Sequence, residues 1–225
     1  MAKVLSARQI KLIACVSMMF SHIGFIFWLE SPWWQILGRI AFPLFAFMIA
    51  NGARHSSNAW KYLARLLIFA VLIQYPYSIF LANKYLNICF TLGLGLAAIM
   101  VWQSNLQLPL RLAAVLAACL VAELLNAEYG WYGIMMMFCA HLFFTDWRKL
   151  SASWTILNVP HLMALADALL ASRPYLPVQG MCLLALPFVL LYNGQRGGGS
   201  RWEFYAFYIG HLAFLYGLRL LLWGH

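Results

Sequence analysis

The run Leu12-Ile13-Ala14-Cys15-Val16-Ser17-Met18-Met19-Phe20-Ser21-His22-Ile23-Gly24-Phe25-Ile26-Phe27-Trp28-Leu29 decides the fold. It carries no Asp, Glu, Lys or Arg, and as a helix it reaches about 27 Å, close to the ~30 Å of a hydrocarbon core. It is longer than the apolar core of a signal peptide and lacks a small-residue cleavage site, so it reads as a retained first span. Outward from it the pattern repeats. Further apolar segments cover roughly 34–51, 63–82, 86–102, 109–125, 131–145, 152–171, 177–193 and 203–223. The expected architecture is an all-α polytopic bundle of about nine spans forming one membrane domain over 1–225. An eight-span bundle with one re-entrant segment is the alternative, since 131–145 is short and 152–171 contains Asn158, Pro160, His161 and Asp167.

Composition agrees with this class. Hydrophobic residues make up 64% of the 225 and charged residues only 9%, too few to cover a water-soluble globule. The net charge of +9 follows from topology. Lys3, Arg8, Lys11, Arg54, Lys61, Arg65, Arg111, Arg148, Lys149, Arg196 and Arg201 fall on one set of segment ends, against Lys84 and Arg173 on the other. Basic loops stay cytoplasmic, which puts the amino terminus inside and, with nine spans, the carboxyl terminus outside. No basic face is interleaved with stacking aromatics on a soluble surface, so nucleic acid is not an expected partner. Trp28, Trp33, Trp34, Trp60, Trp131, Trp147, Trp202 and Trp223 mark segment ends as an aromatic belt. The five cysteines lie in apolar runs without metal-ligand spacing, so neither a metal nor a disulfide framework is expected. Gly194 to Ser200 reads as a flexible linker.

Ionisable groups inside lipid are costly and therefore candidates for function. His22 lies about 10 Å and Arg39 about 8 Å from the outer ends of their segments, which a tight hairpin through Leu29 to Trp33 makes antiparallel neighbours. They are expected to share a cavity, although Arg39 also has the option of snorkelling outward or pairing with Glu30. His211 follows Tyr208 by three residues, one helix face, so Tyr208 lines the same place as His211. Gln74, Asn87, Thr91 and Asn158 read as polar glue between helices, Gly93 and Gly95 as points of close helix contact, and Glu123 and Glu128 as exposed interfacial carboxylates. Arg54, His55, Lys61 and Arg65 crowd one inner loop and would attract an anionic ligand. Intramembrane His, Arg and Asp equally suit a proton-coupled transporter or channel.

Several segments resemble, in order and over nearly the whole chain, the TraX family of F-pilin acetylase-like conjugative-transfer membrane proteins. They are Met18-Met19-Phe20-Ser21-His22, Gly38-Arg39-Ile40-Ala41-Phe42-Pro43-Leu44-Phe45-Ala46-Phe47, Gly52-Ala53-Arg54-His55, Asn87-Ile88-Cys89-Phe90-Thr91, Tyr129-Gly130-Trp131-Tyr132-Gly133-Ile134 and Phe204-Tyr205-Ala206-Phe207-Tyr208-Ile209-Gly210-His211-Leu212. The Gly38 to Ala46 block is the most specific. The first two spans are also distantly similar to heparan-α-glucosaminide N-acetyltransferase. The resemblance implies an acyltransferase of the bacterial inner membrane that moves acetyl from cytoplasmic acetyl-CoA, its donor substrate, to the amino-terminal amine of a pilin partner. On that reading His22, Arg39 and His211 are catalytic, Ser21 and Tyr208 line the cavity, and Arg54, His55, Lys61 and Arg65 bind the coenzyme phosphates. The family usually carries Asp-His where this chain has Ser21-His22, which leaves the acyl group and acceptor open. Direct transfer, an acetyl-histidine relay and a non-catalytic role in pilin assembly stay open with it.

Overall fold

The computed structural model describes residues 3–27, 30–82, 84–200 and 202–224. Trp28 and Leu29 of the first segment and Arg201 of the basic set lie outside them. The helices are α1 (Ala7–Ile26), α2 (Trp33–Gly38), α3 (Ala41–His55), α4 (Ala59–Phe80), α5 (Ile88–Trp102), α6 (Leu108–Leu124), α7 (Gly130–Leu142), α8 (Trp147–Leu170), a 3₁₀ helix (Val178–Ala185), α9 (Leu186–Leu190) and α10 (Trp202–Trp223). Every apolar segment read from the sequence is helical, and the fold is that of an all-α membrane protein. Among the described residues, four helical stretches combine the length and hydropathy of a full crossing: Ala7–Ile26, Trp33–His55, Ala59–Phe80 and Trp202–Trp223.

Two segments depart from the regular helices expected. The second breaks at Arg39, because Pro43 has no N–H for the Arg39 carbonyl and its ring excludes that carbonyl from a helical position. The carbonyls of Leu37 and Gly38, freed at the break, accept the Ser17 hydroxyl of α1 instead. The eighth segment winds as 3₁₀ before Pro187. Pro187 cannot serve the Leu183 carbonyl, which takes the N–H of Leu186 in a tighter turn.

Internal contacts divide the chain into two compact units, Met1–Phe45 with Ser151–His225, and Ala46–Leu150. In the first, α1 packs on α2 and α10, and α2 packs on the 3₁₀ helix. Ser6 opens α1 with a reciprocal capping box to Gln9. The next donors of α1, the N–H groups of Ala7 and Arg8, reach the carbonyls of Gln195 and Arg196. Leu5 forms a bridge with Tyr192, and Arg8 pairs with Glu203 at 3.2 Å. The glycine-rich stretch expected as a linker is thus a strap that closes the start of α1. Gly194, Gly197 and Gly199 take positive φ, and a Cβ on Gly197 would lie 2.8 Å from Ser6 Oγ.

In the second unit α5 is central, against α4, α6 and α7. A Cβ on Gly95 would stand 2.5 Å from Met137 Sδ and one on Gly93 2.6 Å from Leu67 Cδ2, so the glycines permit the close packing expected of them. Asn87 is fully buried and joins Gln74 Oε1 and the Ala70 carbonyl, while Thr91 donates to the Glu128 carbonyl. The two acidic residues are structural rather than simply exposed. Glu123 Oε1 accepts the Trp131 N–H at the start of α7, and Glu128 Oε2 accepts the Tyr77 hydroxyl. Between α7 and α8, Asp146 accepts the N–H groups of Lys149 and Arg148, which hold its carboxyl below the usual carboxylate range. Leu112, Leu116, Leu120 and Leu124 form an exposed stripe along α6, an aggregation hazard in water and an ordinary surface in lipid.

Candidate functional site

In the first unit, α1 and α10 bring two histidines from opposite ends of the sequence into contact. His22 Nδ1 lies 2.7 Å from His211 Nε2, and the rings are nearly parallel with centroids 5.0 Å apart and 9° between planes. Both are buried, at 9% and 6% exposure, so polar atoms that would otherwise be stranded in the bundle satisfy each other. His211 Nδ1 is 2.7 Å from the Phe207 carbonyl one turn back, and the Phe207 ring stacks on the imidazole at 4.8 Å. Tyr208, also buried, presents an edge to both histidines. Tyr208 thus shares the place of His211, as their spacing on one helix face implies, and the surroundings of the pair are dry.

Ser21, the neighbour of His22 on α1, faces α2, and Arg39 follows at the end of α2. A Cβ on Gly38 would lie 2.4 Å from Ser21 Cβ, so glycine lets α2 touch α1 at this level. The Ser21 hydroxyl donates to Gln35 Oε1 at 3.0 Å. Arg39 stands at the break between α2 and α3, with half-buried His161 within its electrostatic reach. The first turn of α3 begins two residues on at Ala41, and the N–H groups of a helix's first turn have no acceptor within their own helix. The chemistry available is a hydrogen-bonded imidazole pair, one cation at a helix break and an interrupted backbone, inside an apolar unit.

The second unit gathers the basic residues at the end of α3 and the start of α4. His55 Nδ1 is 2.9 Å from the Asn51 carbonyl, and Asn58 caps α4 through the Lys61 N–H. Arg65 lies over the Tyr62 ring at 5.4 Å. Arg54 already has a structural task. Its Nη1 donates at 2.9 Å to the His141 carbonyl in the last turn of α7, and the guanidinium covers the Phe144 ring at 4.9 Å. A cation here satisfies a carbonyl at the negative end of a helix dipole. Lys61 and His55 are both exposed.

Gln35 and His141 were absent from the sequence-derived set. Gln35 is the polar residue of a tryptophan-flanked entry that reads as belt, and His141 closes an apolar segment. His141 carried a signal as the polar residue on a face shared with Met137 and Phe138, whereas Gln35 lies one turn before Arg39 in a helix too short to define an apolar face. Among the described residues no group of three or more His, Cys, Asp or Glu is arranged to hold a metal.

The TraX family, described as TraX protein, matches residues 6–219. The chain belongs to the TraX family. Similar proteins include one from Dichelobacter nodosus described as "Probable fimbrial assembly protein FimC, serogroup H1", 31% identical over 96% of this chain and 97% of that protein. Protein TraX of Escherichia coli is 29% identical over 94% of this chain and 86% of that protein. No solved structure matches. The family match spans both units, including the α1 and α10 segments that carry the histidine pair.

Proposed function

We propose that this TraX-family protein is an acetyl-CoA-dependent N-acetyltransferase of the bacterial inner membrane that acetylates the amino-terminal amine of a pilin. The observation that carries the reading is the buried His22–His211 pair at 2.7 Å. Acyl transfer from a thioester to an amine needs an acceptor for the amine proton and a donor for the tetrahedral oxyanion. His22 takes the first role. Arg39, with N–H groups at the start of α3, takes the second, and Ser21 and Tyr208 shape the space around them. His55 and Lys61 receive the coenzyme phosphates, with Arg65 beside them and Arg54 contributing the donors it does not spend on α7. Pilin as partner is drawn from the fimbrial-assembly description of the Dichelobacter relative, and acetyl from the family resemblance.

The test is transfer of radiolabelled acetyl from acetyl-CoA by the purified protein to a synthetic pilin amino-terminal peptide. Label on the α-amine is expected, and Lys61→Gln in the same assay is expected to raise the Michaelis constant for acetyl-CoA more than it lowers turnover. Absence of label with a folded protein overturns the reading. The break at Arg39 supports a second one, a carrier, because interrupted helices with ionisable residues also line transport paths. Proteoliposomes that move substrate without acetylating it would favour that alternative.

A further inference from the structure

The short contacts of the histidine pair fix more than proximity. The Phe207 carbonyl only accepts, so the His211 Nδ1 that lies 2.7 Å from it carries hydrogen. A neutral imidazole has one N–H, which leaves His211 Nε2 with a bare lone pair. That lone pair faces His22 Nδ1 at 2.7 Å, a separation that requires one hydrogen between the nitrogens. The hydrogen therefore belongs to His22 Nδ1, and His22 Nε2 is bare. The reverse arrangement needs an imidazolium at His211, a charge with 6% exposure among Phe207, Tyr208 and His22, at high cost inside a bundle. We propose that His211 is a positioning residue that holds His22 in its Nδ1–H tautomer and so makes His22 Nε2 the proton acceptor; this rests on the acyl-transfer reading above.

The sequence explains how α10 does this. Phe207 and Tyr208 precede His211 by four and three residues, one face of a helix, so one turn supplies the carbonyl, a stacked ring at 14° and an edge-on phenol at 87°. His211 is fully oriented by its own helix, and α1 has only to deliver His22 to it. In the reaction the amine nitrogen bonds to the thioester carbonyl carbon and its proton passes to His22 Nε2. The C–S electron pair leaves on sulfur, and the thiolate takes the proton back, which restores both neutral rings. While His22 is protonated, its Nδ1–H keeps the His211 lone pair as acceptor, so the charge is shared without either ring turning.

Solid-state nitrogen NMR of the full-length protein, labelled in histidine and held in lipid vesicles, reads the tautomer without any assay, with His22 assigned by its loss in His22→Asn. Wild type is expected to show His22 protonated at Nδ1 and bare at Nε2. His211→Phe fills the slot with no acceptor; His22 is then expected to move its hydrogen to Nε2, and kcat to fall by about 100-fold or more with the Michaelis constants little changed. His211→Gln brings an amide oxygen to the place of Nε2, and should restore both the tautomer and most of the turnover. Wild-type His22 protonated at Nε2, or a tautomer indifferent to His211→Phe, overturns the proposal. If His211→Phe does not fold, the wild-type and His211→Gln spectra decide alone. The expected tautomer in a folded protein that transfers no acetyl sinks the acyl-transfer reading and not the assignment of hydrogens.

Discussion

His22→Asn separates the two ring nitrogens of His22. The asparagine amide falls near the position of Nδ1 and is able to donate to His211 Nε2, so the 2.7 Å contact and the packing around it have a replacement. Nothing replaces Nε2. Abundance of folded protein is therefore expected to stay near wild type, while acetyl transfer falls by at least ~100-fold, the low end of a general-base contribution. Size-exclusion profiles in detergent and the radiolabel assay check the two halves. His22→Ala is a poorer probe, because it strands the His211 lone pair in a buried setting at a cost of about 1–3 kcal/mol. Transfer that survives in His22→Asn would remove the base from His22.

At the scale of elements, the apolar segments were legible as helices because each is a sustained apolar run with at most two charged residues. Their interruptions were less so. Pro43 is visible in the sequence, yet whether a proline bends a span or breaks it depends on who takes the freed carbonyls, and Ser17 lies on another helix. The strap is a similar case. Three consecutive glycines have the composition of a linker, and only the fold supplies the unpaired N–H groups at the start of α1 that give them an ordered task. Local pattern likewise named His22 and His211 as polar groups in lipid, but their 2.7 Å contact joins residues 189 positions apart. The strap yields a contrast between neighbours. Gly197 has φ +73 and a would-be Cβ 2.9 Å from Arg8 Cβ, whereas a Cβ on Gly198 meets nothing within 4 Å. Gly197→Ala is expected to cost about 1–2 kcal/mol of stability from the left-handed backbone alone. Gly198→Ala is expected to stay within ~0.5 kcal/mol of wild type. Thermal unfolding in detergent reads both, and equal effects would show that the strap does not support α1.

Across the whole molecule the lopsided basic residues predict which turns share a side of the membrane, and each unit offers an internal check. In the first, the amino-terminal segment and the strap, both assigned inside, meet where the N–H groups of Ala7 and Arg8 donate to the carbonyls of Gln195 and Arg196. In the second, Arg54 at the end of α3 reaches the last turn of α7, so two ends assigned inside coincide. On the opposite side the Leu86–Ala127 bridge joins two turns that are nearly free of basic residues. Within each unit, ends that the charge pattern groups together are in contact, and which of the two sides is cytoplasmic rests on the basic residues alone. Reporter fusions active only outside the cytoplasm should be silent after Asn58 and Gln195 and active after Asn126. A fusion after Arg173 decides the span count. Activity there means that α8 crosses despite Asn158, Pro160 and His161, and that the 3₁₀ helix with α9 brings the chain back, for nine crossings. Silence at Arg173 together with silence at Gln195 means that neither crosses, and the count drops to seven. Activity after Asn58 would place Lys61 and His55 away from cytoplasmic acetyl-CoA, and with them the donor side of the proposed reaction.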